Sequence, residues 1–122
     1  MLTAGGTADL ALQLVLAGQA TLIVDSRVSA EYDLVTARPT FGFDERERRV
    51  LLDVLAAIAE PVVAPPLRLA LPDAEDRMFV EVAVAGAADA IVTGNTRHFV
   101  SRGASLPVAV LTPRQFVERL RR

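Results

Sequence analysis

Four acidic side chains are the residues of this sequence best suited to chemistry. They are Glu31, Asp73, Asp76 and a further candidate, Asp25. Hard divalent cations prefer oxygen ligands, and Mg²⁺ is usually held by one or two carboxylates together with waters and substrate phosphates. Acids at helix starts beside the ends of strands suit that task. The pattern therefore predicts a candidate divalent-cation site.

The stretch Leu71–Phe99 holds most of this potential site. It contains an acidic helix start, an apolar helix, a short apolar strand and a polar loop that opens with Thr93, Gly94 and Asn95. In open α/β sheets, ligands bind outside the carboxyl ends of the strands. The polar loop therefore lies where a ligand is expected.

Each candidate also has a purely structural interpretation. Asp73 is a reasonable helix N-cap, and Asp76 stands three positions later, where a capping partner belongs. Glu31 lies inside a predicted helix, where a single Glu is usually solvated. Asn95 is an ordinary turn residue, and His98 is a single loop histidine. The residues alone leave both interpretations open.

Several other chemistries lack their motifs. The sequence contains neither G-x-G-x-x-G nor G-x-x-x-x-G-K, so a nucleotide-binding loop is unsupported. It also lacks a G-x-S-x-G elbow, and its one His argues against a Ser-His-Asp triad. A phospho-acceptor at Asp25 would need a nearby Lys, and the chain has none.

The composition indicates one globular domain, residues 1–122, in a cytoplasmic protein. The chain is 52% hydrophobic, without a membrane-spanning apolar run or a basic leader segment. It has no Cys, which excludes disulfides and thiolate metal sites. All thirteen basic residues are Arg, which indicates codon bias. Four of them make the C-terminus basic, which is either a phosphate-facing patch or a solvated helix end: Arg114, Arg119, Arg121 and Arg122.

Helix signals recur along the chain. Thr7, Asp25 with Ser26, Asp44, Asp73 and Thr112 are predicted to begin helices. The first helix covers about Ala8–Ala17 and stops at Gly18. The second helix ends before Pro39, and the third reaches about Ala59. The fourth helix runs through Val84 with Gly86 as its stop, and the last helix begins at Pro113. The third helix is expected to bury Val50, Leu51, Val54, Leu55 and Ile58.

Short apolar runs between these helices predict strands at Ala20–Val24, Pro61–Ala64, Ala90–Thr93 and Val108–Leu111. Strands that alternate with helices favour βαβ units with right-handed crossovers and a parallel sheet. The expected fold class is therefore α/β. A chain that enters through a helix, with no strand before it, is unusual for this class.

Three segments together resemble PIN-domain proteins, in particular VapC-like toxin components of prokaryotic toxin–antitoxin systems. They are LIVDSRVSAEYDLVTARPTF (residues 22–41), DAEDRMFVEVAVAGAADAIVTGN (residues 73–95) and VAVLTPRQFVERL (residues 108–120). No single motif is decisive, but the ordered set is fairly specific. The resemblance implies a three-layer α/β/α domain around a short parallel sheet.

The resemblance also implies a ribonuclease in which acids bind Mg²⁺ or Mn²⁺ to activate water against an RNA phosphodiester. By position, Glu31 matches the helical acid of the family and Asp76 the acid of its D-x-x-D-x-x-F segment. Thr93 and Asn95 match the T-G-D/N loop, where an amide brings no charge. Asp73 would be a secondary contributor to the metal site.

The chain departs from the family at its start. Family members begin with a central strand that ends in Asp-x-Asn, whereas MLTAGG resembles the loop after that strand. We therefore expect the first strand and the first acid of the family to be lacking from this sequence. Either the start codon was assigned too far downstream, or the protein is a degenerate member of the family. Such a form is expected to be less stable, or to fill the gap with a partner chain.

Two functions follow from the resemblance. The first is a metal-dependent endoribonuclease toxin that acts on RNA, binds a cognate antitoxin, dimerises and has no membrane role. The alternative is a catalytically inactive PIN-like module that binds an antitoxin or its own copy. Fewer carboxylates would weaken metal binding, so metal affinity should separate these two functions.

Overall fold

The computed structural model of the 122-residue chain describes residues 13–71, 74–94, 96–99 and 106–121. Within them the α-helices and strands are β1 (Ile23–Val24), α1 (Ser26–Thr36), α2 (Glu45–Ile58), β2 (Glu60–Pro61), α3 (Arg77–Ala85), β3 (Ala90–Val92), β4 (Ala109–Leu111) and α4 (Pro113–Leu120). Three 3₁₀ turns cover Pro39–Phe41, Ala74–Asp76 and Thr96–Phe99. Residues 13–16 are helical and belong to the first predicted helix, whose Thr7 cap lies outside the described residues.

The strands form two parallel pairs, which confirms the α/β class. β1 pairs with β2 in the register Ile23 to Glu60, and β3 pairs with β4 from Ala90 opposite Ala109 to Val92 opposite Leu111. The prediction of one continuous sheet differs from this arrangement, because no strand within the described ranges bridges the two pairs.

The predicted extent of the strands was also wrong in places. β1 is shorter than Ala20–Val24, and β2 is Glu60–Pro61 rather than Pro61–Ala64. The last bond of this ladder joins the Val62 N–H to the Val24 carbonyl at 2.8 Å. Beyond it Val63 is 95% exposed. β1 cannot extend the ladder further, because Ser26 already belongs to α1.

Three helices begin at the predicted caps. The Asp25 carboxylate accepts the Val28 N–H at 3.0 Å and caps α1. Asp44 and Glu47 form a reciprocal capping box at α2, as do Thr112 and Gln115 at α4. Local hydrogen bonding therefore explains where these helices start.

Helix α3 ends in a tight backbone motif. The Ala87 N–H donates to the Val84 carbonyl at 3.1 Å, and the Ala88 N–H donates to the Ala83 carbonyl at 2.8 Å. This Schellman pattern requires a left-handed residue, and Ala87 adopts it with φ of 51°. Gly86 confirms the predicted stop. A Cβ on Gly86 would lie 2.5 Å from Ile23 Cγ2, so a larger residue does not fit there.

The core is built around α3, which contacts β1, β3 and α1. Phe79, Val80, Val82 and Ala83 are buried on this helix, and Val80 is fully enclosed. They pack with apolar residues of the two inner strands and of α1, namely Val24, Val28, Tyr32 and Ile91. No helix in the described ranges is long and apolar enough to cross a membrane.

The predicted buried face of α2 was largely wrong. Leu55 is buried and Leu51 is half-buried, but Val50, Val54 and Ile58 are exposed. The physical reason is that α2 packs mainly on α1, and the described residues leave its other apolar positions uncovered. An Arg48 ion pair with Asp33 helps to hold the two helices together.

Candidate functional site

The carboxyl ends of β1 and β3 and the start of α3 provide the polar groups of the candidate site. Asp25 follows β1, and Thr93 follows β3. Helix α3 leads directly into β3 and packs against it, so its start at Asp76 lies towards the carboxyl end of that strand. This is the edge at which α/β sheets bind ligands.

Asp76 lies at the junction between the Ala74–Asp76 turn and α3. The residue is half-buried, and its Oδ2 atom is shielded from solvent. One turn further along α3, the Phe79 ring meets the Phe99 ring edge to face, with centroids 6.4 Å apart. Phe99 closes the loop that follows β3, so this aromatic contact fixes that loop against the first turn of α3.

Thr93 is the polar residue best defined by the structure at this edge. The residue is 1% exposed, and its backbone N–H donates to the Leu111 carbonyl at 2.9 Å. The ladder between β3 and β4 therefore holds Thr93 in place. The loop that begins after Thr93 ends at Phe99, whose ring contacts Phe79 one turn along α3 from Asp76.

Glu31 lies further from the strand ends than these residues, in the middle of α1. It is half-buried and stands four positions after Arg27, so the two side chains share a face of the helix. Arg27 reaches α3 from that face. Glu31 is therefore on the side of α1 that approaches α3.

Other predicted site residues cannot be placed. Asp73 and Asn95 lie outside the described residues, as does the side chain of His98, so the predicted capping box of Asp73 with Asp76 lies outside them too. Among the residues that are described, no group of three acidic or His side chains could hold a metal ion. The described residues therefore supply isolated oxygen donors near one edge rather than a complete cluster.

Arg27 joins two acids in a network that sequence reasoning missed. Its guanidinium contacts the Asp25 carboxylate at 2.8 Å and Glu81 Oε1 at 2.8 Å. Glu81 Oε2 accepts the Leu67 N–H at 2.6 Å. The network ties the start of α1 to the middle of α3 and to the segment before α3.

The network keeps both acids ionised. Burial tends to raise the pKa of Glu81, but hydrogen bonds from Arg27 and from the Leu67 N–H outweigh it and lower that pKa. Burial acts in the same direction on Asp25, and the Val28 N–H and Arg27 again lower its pKa below the usual range. Asp25, considered above as a further candidate metal ligand, therefore acts as a helix cap and as a partner of Arg27.

A sequence signal for Glu81 did exist. It is the single charged residue in the apolar run MFVEVAVA, and a carboxylate there must be buried. A buried carboxylate needs a cation or several donors, which implies a distant Arg or Lys. The identity of that partner, 54 residues away, could not be read from local spacing.

The other candidate ligands among the described residues are of chemical types that bind hard cations. Asp76 and Glu31 offer carboxylate oxygens and Thr93 offers a hydroxyl, which are the ligand types that Mg²⁺ and Mn²⁺ accept. Arg27 neutralises Asp25 and Glu81, so these two acids are already paired. Asp76, Glu31 and Thr93 are therefore the candidate ligands that lie among the described residues and outside the Arg27 network.

Comparison with known proteins agrees with this architecture. No curated protein and no solved structure matches the chain. Residues 2–97 match the family model of the PIN domain. This region contains β1 to β3 and all of the candidate donors, and the match spans most of the chain. The chain therefore belongs to the PIN-domain family.

Proposed function

We propose that this chain is a metal-dependent endoribonuclease, the toxin component of a prokaryotic toxin–antitoxin pair. PIN domains point to a nuclease-type function and typically depend on divalent metals. One observation carries the proposal furthest: the Phe79–Phe99 contact brings the loop after Thr93 towards the half-buried Asp76. An acid and a hydroxyl at one edge of a PIN domain are suited to phosphodiester hydrolysis.

Asp76 and Glu31 would hold the Mg²⁺ or Mn²⁺ ion, Asn95 would be a weaker ligand, and Asp73 would tune the site. The bound ion supplies an activated water and stabilises charge on the phosphate. Thr93 would orient the water or the ion from its enclosed position. Arg27 keeps Glu81 and Asp25 ionised and paired, so these acids position α1 and α3 without competing for the ion.

RNA would be the substrate, and its phosphates need cations. Helix α4 begins directly after β4, so its second residue, Arg114, lies towards the same edge as Thr93 and is exposed. A guanidinium there would contact the RNA backbone. A cognate antitoxin and a second copy of the chain are the proposed protein partners.

The test is cleavage of an end-labelled RNA in Mg²⁺ or Mn²⁺, with EDTA as the blank. Asp76→Asn should abolish metal-dependent cleavage while the circular dichroism melt stays close to that of the original chain. Glu75→Gln, which removes one charge from the exposed neighbouring position, is the matched control and should cleave normally. Undiminished cleavage by Asp76→Asn would refute the assignment.

The second candidate is a catalytically inactive PIN module that binds an antitoxin or its own copy. It is favoured by the lack of a three-ligand group among the residues that are described. Calorimetric titration with Mn²⁺ separates the two functions. Saturable Mn²⁺ binding that Asp76→Asn removes favours the nuclease, whereas no binding together with no cleavage favours the inactive module.

A further inference from the structure

Two stacked phenylalanines stand in the connection between α1 and α2. The rings of Phe41 and Phe43 lie nearly parallel, with an interplanar angle of 16° and centroids 5.9 Å apart. Both residues are half-buried. Within the described ranges, neither belongs to the apolar residues that form the core or pack against it. The pair is therefore aromatic surface that the core does not use, and such surface is suited to contact a ligand.

The backbone around this pair is held in a defined turn. The Phe41 N–H donates to the Arg38 carbonyl at 3.1 Å, and the Gly42 N–H donates to the Pro39 carbonyl at 3.0 Å. Gly42 takes a left-handed conformation with φ of 66°, and the capped start of α2 follows shortly after it. This segment, the aromatic loop (residues 38–43), is therefore preorganised, which lowers the entropic cost of binding.

The charges around the aromatic loop favour an anionic ligand. Four acids lie near it in sequence, and each one is already engaged in an ion pair or a helix cap: Asp33, Asp44, Glu45 and Glu47. Arg38 of the loop and Arg46 in the first turn of α2 are exposed. No ion pair to another described residue engages either of them. Two guanidinium groups therefore remain available for phosphate.

Helix α1 connects the aromatic loop with the candidate site. Glu31 lies five positions before Thr36, the last residue of α1, which corresponds to about 8 Å along the helix axis. Sites for single-stranded nucleic acid cover about 4 to 16 nucleotides. An RNA strand with one phosphate near Glu31 can therefore reach the aromatic loop within the length of one such site.

We propose that the aromatic loop binds single-stranded RNA, with an unpaired base stacked on the Phe41–Phe43 pair and neighbouring phosphates contacted by Arg38 and Arg46. Aromatic rings with flanking cations hold single strands of any sequence, because every base has a π face and every nucleotide carries a phosphate. The inference rests on the proposed function for the choice of RNA, but it concerns binding and requires no metal.

A second copy of the chain fits the aromatic loop less well. In a two-fold contact the same surface meets itself, so Arg38 and Arg46 of both copies would come together with like charge. A polyanion meets no such repulsion there. RNA is therefore the occupant that the charges favour.

The test is fluorescence anisotropy of a labelled single-stranded oligouridine of about 12 nucleotides, titrated with the chain in EDTA to prevent metal-dependent cleavage. We expect saturable binding that weakens as salt is added. An oligonucleotide of the same length with abasic central positions keeps its phosphates and should bind about tenfold more weakly. This comparison separates base stacking from charge.

Variants of the chain locate the contact. Phe41→Ala and Phe43→Ala should each weaken binding of oligouridine about tenfold and leave binding of the abasic oligonucleotide unchanged. Phe43→Tyr keeps an aromatic ring and should bind normally. Arg38→Gln should weaken both oligonucleotides and make the salt dependence less steep. Leu34→Ala, which truncates a 69% exposed apolar side chain of α1, is the matched control and should bind normally.

Three results would overturn the proposal. They are no saturable binding by the original chain, equal binding of the two oligonucleotides, and undiminished binding by both Ala variants. Self-association that Phe41→Ala abolishes would assign the pair to a second copy and overturn it as well. The abasic comparison uses the original chain, so it decides the matter even if an Ala variant fails to fold. The nuclease proposal fails separately, through cleavage by Asp76→Asn, because the binding assay contains no metal.

Discussion

The ion pair between Arg27 and Glu81 gives the sharpest quantitative prediction. The Glu81 side chain is 6% exposed, and Arg27→Met removes its cation while the Leu67 N–H remains. Loss of one partner of a buried pair costs about 3 to 5 kcal/mol. Arg27 is itself 45% exposed. We therefore expect Arg27→Met to lower the free energy of unfolding by a smaller amount, about 2 to 3 kcal/mol.

The loss should depend on pH. In the original chain the pKa of Glu81 lies below its ordinary value of 4.5, so Glu81 stabilises the fold above that pH and this contribution fades as the pH falls. In Arg27→Met, burial raises the pKa of Glu81, and the variant loses stability as the pH rises. The gap between the two proteins should therefore widen from about pH 4 to about pH 7.

Urea unfolding followed by circular dichroism at these two pH values measures the gap. Arg46→Met removes an exposed Arg of α2 and should change stability by less than about 0.5 kcal/mol. Arg27→Met combined with Glu81→Leu should recover most of the loss, because no buried charge remains. An equal loss at both pH values would show that packing, and not the charge pair, sets the effect.

Two further substitutions test the end of α3 by thermal melting. Gly86→Ala should destabilise the chain by about 1 to 3 kcal/mol, because the new Cβ would lie 2.5 Å from a branched methyl of Ile23. Ala87→Gly should stabilise it by about 0.5 to 1 kcal/mol, because φ of 51° is strained for Ala. A neutral Gly86→Ala or a destabilising Ala87→Gly would contradict the described helix end. Ala85→Gly, inside the same helix at an exposed position, is the control and should destabilise by about 1 kcal/mol.

Local signals in the sequence predicted the helix starts well. The caps at Asp25, Asp44 and Thr112 depend on hydrogen bonds that span three residues, so spacing alone identifies them. The Gly86 stop is equally local. The α/β class follows from the alternation of these helices with apolar runs, and the structure confirms it.

Features that depend on distant contacts could not be predicted in the same way. The exposure of Val50, Val54 and Ile58 depends on what packs against α2, which periodicity does not reveal. The pairing of Arg27 with Glu81 joins residues 54 positions apart. The split into two strand pairs depends on which strands become neighbours, and no local pattern encodes that choice.

The candidate site was predictable in part. The location of Asp76 and Thr93 near one edge follows from the order of α3 and β3 along the chain. The burial of Thr93 and the Phe79–Phe99 contact that positions its loop are tertiary features. The roles of all five predicted site residues in metal binding stay predictions: Glu31, Asp73, Asp76, Thr93 and Asn95.

The position of α3 between the two strand pairs has a consequence for cooperativity. Within the described ranges, no ladder hydrogen bond joins the pairs, whereas α3 contacts both β1 and β3. Regions linked by side-chain packing rather than by a shared ladder can open as separate units in native-state hydrogen exchange. The chain should therefore behave as two exchange units coupled through the buried side of α3.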